Sequence, residues 1–410
     1  MSRNKLFYNL NTVNSDFTEF QKKQALLVDQ KGSIVWTGPQ SVALKKFKTT
    51  PTVDFKNKNI LPAFVECHTH SVFAGSRSDE FELRNSGVSY LEIAQRGGGI
   101  LSTMKQTRAT SRSQLLQLAK QRVDRFIDQG VATIEIKSGY ALDLKHEIKM
   151  LEVINDISGL YPLKTTPKIV STFLGAHAKP PEFSSYSEYL NFLAEKVLPV
   201  VKKKKLSQRV DIFIEKNFFE VSEAEVFLKK ASALGFHLTI HANQMSLSGG
   251  AELALKLNSK SADHVIHLTD EAIVQFAKSK TVAVLLPAAD LYMKCAYPPA
   301  RKLIDRGARV ALATDFNPGS CPTQDLSLVG LLARLEMKMS LPEVFKGYTI
   351  NAALALGLED EIGSLEVSKQ ASFISTEGDL SDFFYSAGAM PEHDLFIRGN
   401  KVSKAPETRK

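Results

Sequence analysis

From about residue 60 onward, short apolar runs alternate with longer segments whose apolar residues recur at helical spacing. That alternation marks repeated strand–helix units. Residues 111–130 show one helix clearly. Ser111 and Gln114 form a capping box, Leu115, Leu116, Ala119, Val123, Phe126 and Ile127 share a face, and Gly130 ends it. A buried strand follows at 131–137. Ser222 with Glu225 opens another helix, Gly235 closes it, and 236–241 supplies the next strand. In order, the strand-like runs are 60–66, 131–137, 168–174, 209–215, 236–241, 262–268, 281–286 and 310–314. Eight repeats predict an α/β fold of the (β/α)8, TIM-like barrel type. A doubly wound sheet shares this periodicity, and the placement of polar residues is what favours the barrel.

Both chain ends depart from that rhythm. Residues 25–28 and 34–36 flank Asp29-Gln30-Lys31-Gly32, a hairpin signal, while 371–374 and 395–397 precede Gly399-Asn400. The two termini are therefore expected to build one small β domain, from 1–59 and 361–410, around a barrel spanning 60–360.

Composition narrows the class. With 410 residues, 43% hydrophobic and 23% charged, the chain has the makeup of a globular protein, which excludes disorder, collagen and a small disulfide scaffold. The net charge of +8 is scattered, and its one dense run, Lys202-Lys203-Lys204-Lys205, reads as a solvated helix end or loop. No nucleic-acid partner is expected. Cys67, Cys295 and Cys321 are odd in number and far apart, which suggests a reducing compartment. There is no 18-residue apolar run and no signal-like apolar core near the start, so a soluble cytoplasmic protein without a membrane partner is expected.

The strongest chemical signal is Cys67-His68-Thr69-His70, directly after the first barrel strand. Imidazoles two residues apart on extended chain point the same way and can share one cation. Other strand ends also finish in possible ligands: His177, His241, His264 and Asp315. A barrel would gather them at its C-terminal face. Three histidines and an aspartate with open coordination space suit the activation of water, whose pKa falls from about 15.7 to near 7 on a bound metal, and hence hydrolysis of a C–N bond. His146, His237, His267 and His393 read instead as ordinary core or surface residues.

Longer segments resemble a known family. They are His68-Thr69-His70-Ser71-Val72-Phe73-Ala74-Gly75-Ser76-Arg77, Phe81-Glu82-Leu83-Arg84, Gly97-Gly98-Gly99-Ile100, Glu135-Ile136-Lys137-Ser138-Gly139-Tyr140, Phe173-Leu174-Gly175-Ala176-His177-Ala178, Ser261-Ala262-Asp263-His264, and Ala313-Thr314-Asp315-Phe316-Asn317-Pro318-Gly319. Together they resemble the amidohydrolase superfamily, and within it the cyclic amidases that open an imidazolone ring in histidine degradation. The resemblance implies that His68, His70, His241 and Asp315 hold one Zn2+ or Fe3+ ion per chain. It implies that Asp315, His264 and His177 take part in the chemistry, and that Arg77, Tyr90, Tyr140, His177, Gln244, Asn317, Gly319 and Ser320 contact the substrate. A small-molecule substrate bearing a carboxylate is implied, since a guanidinium fork and a phenol suit that group. So is a homodimer. The alternatives are a related amidohydrolase or deaminase acting on another small cyclic amide, and a catalytically silent metal-binding relative.

The sequence departs from the resemblance at Gln244, where one subset of the family carries glutamate, and at Asn243, where other members carry an acid. An amide cannot serve as a general base, so Gln244 is expected to orient substrate or water. Lys137 and Lys216 invite comparison with the carboxylated lysine of two-metal relatives. The resemblance points instead to a single metal, with Lys137 fixing a loop or pairing with a carboxylate. Gly97-Gly98-Gly99 lacks phosphate-loop spacing and is expected to cover the site as a flexible loop.

Overall fold

The computed structural model describes residues 4–88, 92 and 98–403. Its strands are β1 (Lys5–Val13), β2 (Phe20–Val28), β3 (Ile34–Pro39), β4 (Thr52–Pro62), β5 (Phe64–Glu66), β6 (Val131–Lys137), β7 (Lys168–Ala176), β8 (Arg209–Ile214), β9 (His237–Ala242), β10 (Ser261–His264), β11 (Val282–Leu285), β12 (Val310–Leu312), β13 (Phe373–Thr376), β14 (His393–Ile397) and β15 (Asn400–Lys401). Strands β5 to β12 form one parallel sheet in which each strand pairs with the next in the chain. A doubly wound sheet would reverse its order midway. The ends of this sheet meet just past the strands, where Asp315 N–H donates to His68 O (3.1 Å), His70 N–H donates to Phe316 O (2.9 Å) and Thr69 bridges Phe316. Barrel closure is thus made by the very segments that carry the candidate ligands.

Local chemistry explains the elements. Helix Arg112–Ile127 starts at Ser111 with the complete capping box and buries Leu115, Ala119, Val123, Phe126 and Ile127, while Leu116 is half-buried. Gly130 follows at φ +87°, and a side chain there would collide with Ile374 Cδ1 at 2.5 Å, so glycine lets the barrel meet the small sheet. The predicted box at Ser222 does not form. Helix Val221–Ala233 is capped at Glu220, two residues earlier, which places Ser222 inside the first turn.

The termini share a second sheet, ordered β15-β14-β13-β4-β1-β2-β3. The expected hairpin is β2–β3, and a core of Phe7, Leu10, Leu26, Val28, Ile34, Phe55, Ile60, Ala371 and Phe373 fills one side. One predicted strand divides in two. Within 60–66, Ile60–Pro62 closes β4 and pairs with β13, whereas Phe64–Glu66 pairs with β6. An apolar run carries no mark of which sheet buries it, so the two halves read as one strand. Among the described residues, no helix is long and apolar enough to cross a membrane.

Candidate metal centre and active site

At the C-terminal rim, the ends of β5, β9, β10 and β12 bring His68, His70, His241, His264 and Asp315 together, all buried. Asp315 Oδ1 stands 3.3 Å from His68 Nε2 and 3.4 Å from His70 Nε2. The ring centroid of His241 is 4.5 Å from that of His68, and His264 is 5.4 Å from His241. Ligands about 2.0–2.1 Å from a tetrahedral ion lie about 3.3–3.4 Å from one another, which matches the two histidine–aspartate separations. Buried His68 Nε2, His70 Nδ1, His241 Nε2 and His264 Nδ1 have no hydrogen-bond partner among the described residues. Burial without a partner is costly for a polar atom, and a cation would satisfy several of these at once. The donor set therefore fits a metal ion.

Two further carboxylates aim the rings. Asp263 Oδ2 is 2.6 Å from His68 Nδ1, a hydrogen bond that leaves Nε2 as the ligating atom, and Asp211 Oδ2 lies at ion-pair distance, 2.9 Å, from His241 Nδ1. Burial depresses His70 to about 4 and His264 to about 3, which keeps both imidazoles neutral. His68 differs. Burial and Lys137 press it down, but the neighbouring carboxylates of Asp263 and Asp315 prevail and lift it to about 9, so positive charge is favoured at this ring. Burial raises Asp315, yet His68 and His70 hold it well below the usual carboxylate range.

Four residues at this rim hold left-handed backbone. His264 has φ +73°, Val265 φ +44°, Asp315 φ +54° and Asn243 φ +51°. Left-handed conformations at non-glycine residues cost on the order of 1–3 kcal/mol each and persist where the surroundings impose them, commonly at functional sites.

A pocket opens beside the ligand cluster, lined by His70, Arg77, Tyr140, His177, His241, Gln244, His264, Asp315, Asn317, Gly319 and Ser320. His68 sits behind this wall. Tyr90 lies outside the described residues. The structure adds Arg84, Ile100, Phe213, Phe218, Met245, Met293 and Cys295 to the lining. Most of these are apolar residues on loops or strand ends, which periodicity reads as core, and only Arg84 carried a charge that could have drawn notice.

Arg77, Tyr140, His177 and Asn317 are held from behind. Arg77 Nε donates to Glu80 Oε2 (2.8 Å), and the same carboxylate accepts from Gly99 N–H through Oε1 (2.8 Å). Gly98 and Gly99 lead directly into helix Ile100–Ala109, while Gly97 lies outside the described residues. Tyr140 rides on a loop whose N–H groups at Gly139, Ala141 and Leu142 all donate to buried Glu147 (3.1, 2.8 and 2.9 Å). His177 Nδ1 lies 3.1 Å from Gly139 O, so Nδ1 carries the proton and Nε2 accepts. Burial, reinforced by His70 and His241, keeps His177 well below its ordinary pKa. Asn317 spends its amide on its own turn: Oδ1 accepts from Gly319 and Ser320 N–H (2.9 and 2.7 Å), and Nδ2 donates to Asp315 O (2.7 Å). It shapes the wall that Gly319 and Ser320 present.

Gly319 has a specific reason to be glycine. A methyl there would fall 2.0 Å from Arg77 Nη1, the mobile end of a long side chain. The fold can accommodate that methyl, but the guanidinium must move. Gly319→Ala is therefore expected to raise KM about 10-fold, the worth of one charge-assisted hydrogen bond, and to leave Tm within a few degrees. Steady-state kinetics beside a thermal melt checks this, and an unchanged KM would count against Arg77 as the carboxylate anchor.

The two departures at 243 and 244 now separate. Asn243 is structural: Nδ2 donates to His267 O (2.9 Å) and Oδ1 accepts from Ala251 N–H (3.2 Å). Gln244 lines the pocket. Lys216 is exposed and away from the pocket lining, whereas Lys137 is fully buried among carboxylates. His146 pairs with Asp143 (2.7 Å) and His393 with Pro391 O (2.8 Å), and neither these nor His237 and His267 line the pocket. Asp211 and Asp263 escaped the sequence reading as functional groups, although a lone acid inside the apolar strand Arg209–Ile214 was a visible signal.

Comparison with known proteins agrees with this geometry. The amidohydrolase family model matches residues 59–402. An imidazolonepropionase of Bdellovibrio bacteriovorus is 56% identical over 93% of this chain and 89% of its own, and one of Treponema denticola is 42% identical over 88% and 87%. In fold, the chain is similar to a zinc-bound adenosine deaminase of Xanthomonas campestris, with TM-score 0.73 and 18% identity over 97% of this chain and 92% of that one. Guanine deaminase of E. coli gives TM-score 0.69 at 15% identity over 99% and 100%. A rim of inward-facing histidines and aspartate, and relatives of this closeness along nearly the whole chain, place the protein in the metal-dependent amidohydrolase family, among the imidazolonepropionases.

Proposed function

We propose that this chain hydrolyses the ring C–N bond of 4-imidazolone-5-propanoate to give N-formimidoyl-L-glutamate. The observation that carries the reading is one pocket that lies against the metal-type cluster of His68, His70, His241 and Asp315 and also presents a guanidinium, Arg77, fixed by Glu80. Zinc or ferric iron suits three imidazoles and a carboxylate, and such an ion supplies Lewis acidity and a water of lowered pKa.

The chain's own groups divide the remaining work. Arg77 and Tyr140 hold the propionate carboxylate. His177, whose Nε2 is an acceptor, receives a ring N–H. Gln244 orients the ring by hydrogen bonding. Neutral His264 donates to the carbonyl oxygen as charge develops there. Asp315, kept ionised, takes a proton from water as its oxygen bonds to the carbonyl carbon. The C–N bond then breaks, the electron pair stays on nitrogen, and Asp315 returns the proton to it. Running the reaction in H2(18)O tests this: one labelled oxygen in the newly formed carboxylate is expected, and an unlabelled product or no product contradicts it.

A further inference from the structure

Lys137 is a fully buried lysine with no part in the scheme above. Its Nζ lies 2.9 Å from Glu135 Oε1, 3.0 Å from Asp211 Oδ2 and 3.7 Å from Asp263 Oδ2. Two of those carboxylates are the ones that reach His241 and His68: Asp211 Oδ2 is 2.9 Å from His241 Nδ1, and Asp263 Oδ2 is 2.6 Å from His68 Nδ1. One ammonium thus stands behind both carboxylate–histidine pairs, linking β6, β8 and β10 to ligands on β9 and just past β5.

We infer that Lys137 is the positioning residue of the metal centre, orienting His68 and His241 through Asp263 and Asp211. The physical argument is charge and geometry. Glu135, Asp211, Asp263 and Asp315 are all buried around the site, and burying several like charges without compensation is prohibitive. Among the described residues, Lys137 is the one lysine or arginine that the contacts place against these carboxylates. Lys137 Nζ donates a hydrogen bond to Glu135, and the compact charge of an ammonium suits two further carboxylates held at ion-pair distance on neighbouring strands. Without it, Asp211 and Asp263 would repel, turn from the rings, and leave each histidine free to rotate or change tautomer. Carboxylates behind ligating histidines are typically worth about 10–100-fold in metal affinity. Lys137 acts on two of them at once.

The inference rests on the metal-site reading, so its test measures metal rather than turnover. Zinc affinity of the full-length protein is determined by chelator competition for wild type, Lys137→Met and Lys137→Gln, with circular dichroism of the metal-free forms reporting the fold. Lys137→Met is expected to bind zinc about 100-fold more weakly, and Lys137→Gln, whose amide can still donate, about 10-fold more weakly, with native dichroism retained. In a cycle with Asp263→Asn, the double variant is expected to lose less than the two single losses combined, because both act on His68. Unchanged zinc affinity in a folded variant overturns the inference. So does failure of both Lys137 variants to fold with or without zinc, which would make the lysine a determinant of the barrel alone. A wild type that binds no zinc or iron would instead remove the metal reading itself.

Discussion

Asp315→Asn is expected to lower kcat for 4-imidazolone-5-propanoate by about 10³-fold, within the range usual for loss of a general acid–base. The substitution keeps size and shape, so the left-handed turn at φ +54° and the backbone bond from Asp315 N–H to His68 O have no reason to change. What changes is charge and basicity. The amide cannot take a proton from water, and its neutral oxygen no longer answers His68 and His70 at 3.3 and 3.4 Å. Metal content, measured by mass spectrometry on the same sample, separates the two roles. Normal turnover with metal retained would remove Asp315 from proton transfer.

The second large effect is on binding. Arg77→Ala is expected to lower kcat/KM by about 10²–10⁴-fold, mostly through KM, because a guanidinium–carboxylate fork makes two charge-assisted hydrogen bonds of about 1.5–3 kcal/mol each. The side chain is buried against Glu80, with Nε donating at 2.8 Å, so its direction is fixed before substrate arrives. Removing it also leaves Glu80 without that partner. The control is an analogue in which the propionate is a neutral amide. Wild type is expected to process it poorly, and Arg77→Ala is expected to process it no worse than wild type does. If both substrates suffer equally, Arg77 supports the wall rather than the carboxylate.

Residues that carry chemistry in runs were the legible ones. His68, His70, His177, His241, His264 and Asp315 each follow or end a strand, and barrel geometry turns that one-dimensional regularity into a ring at one rim. Strand Val131–Lys137 and the capping box at Ser111 were equally plain, because local pattern and burial agree there. Illegibility began where function depends on partners distant in the chain. Nothing in Val131–Lys137 says that Lys137 meets Asp211 and Asp263, and nothing in Ile60–Glu66 says that its halves enter different sheets. Apolar wall residues such as Phe213, Met293 and Cys295 are indistinguishable from core until the cavity is seen. Asn243 shows the reverse case: a departure from the family resemblance proves to be a loop fastener, bonded to His267 O and Ala251 N–H.

The most direct test of the account is turnover of freshly prepared 4-imidazolone-5-propanoate by the purified protein, first loaded with zinc or iron, then stripped by a chelator, then reloaded. The account predicts N-formimidoyl-L-glutamate formation that vanishes on stripping and returns on reloading, with Gln244 in place. Absence of turnover while one ion per chain is demonstrably bound would contradict it.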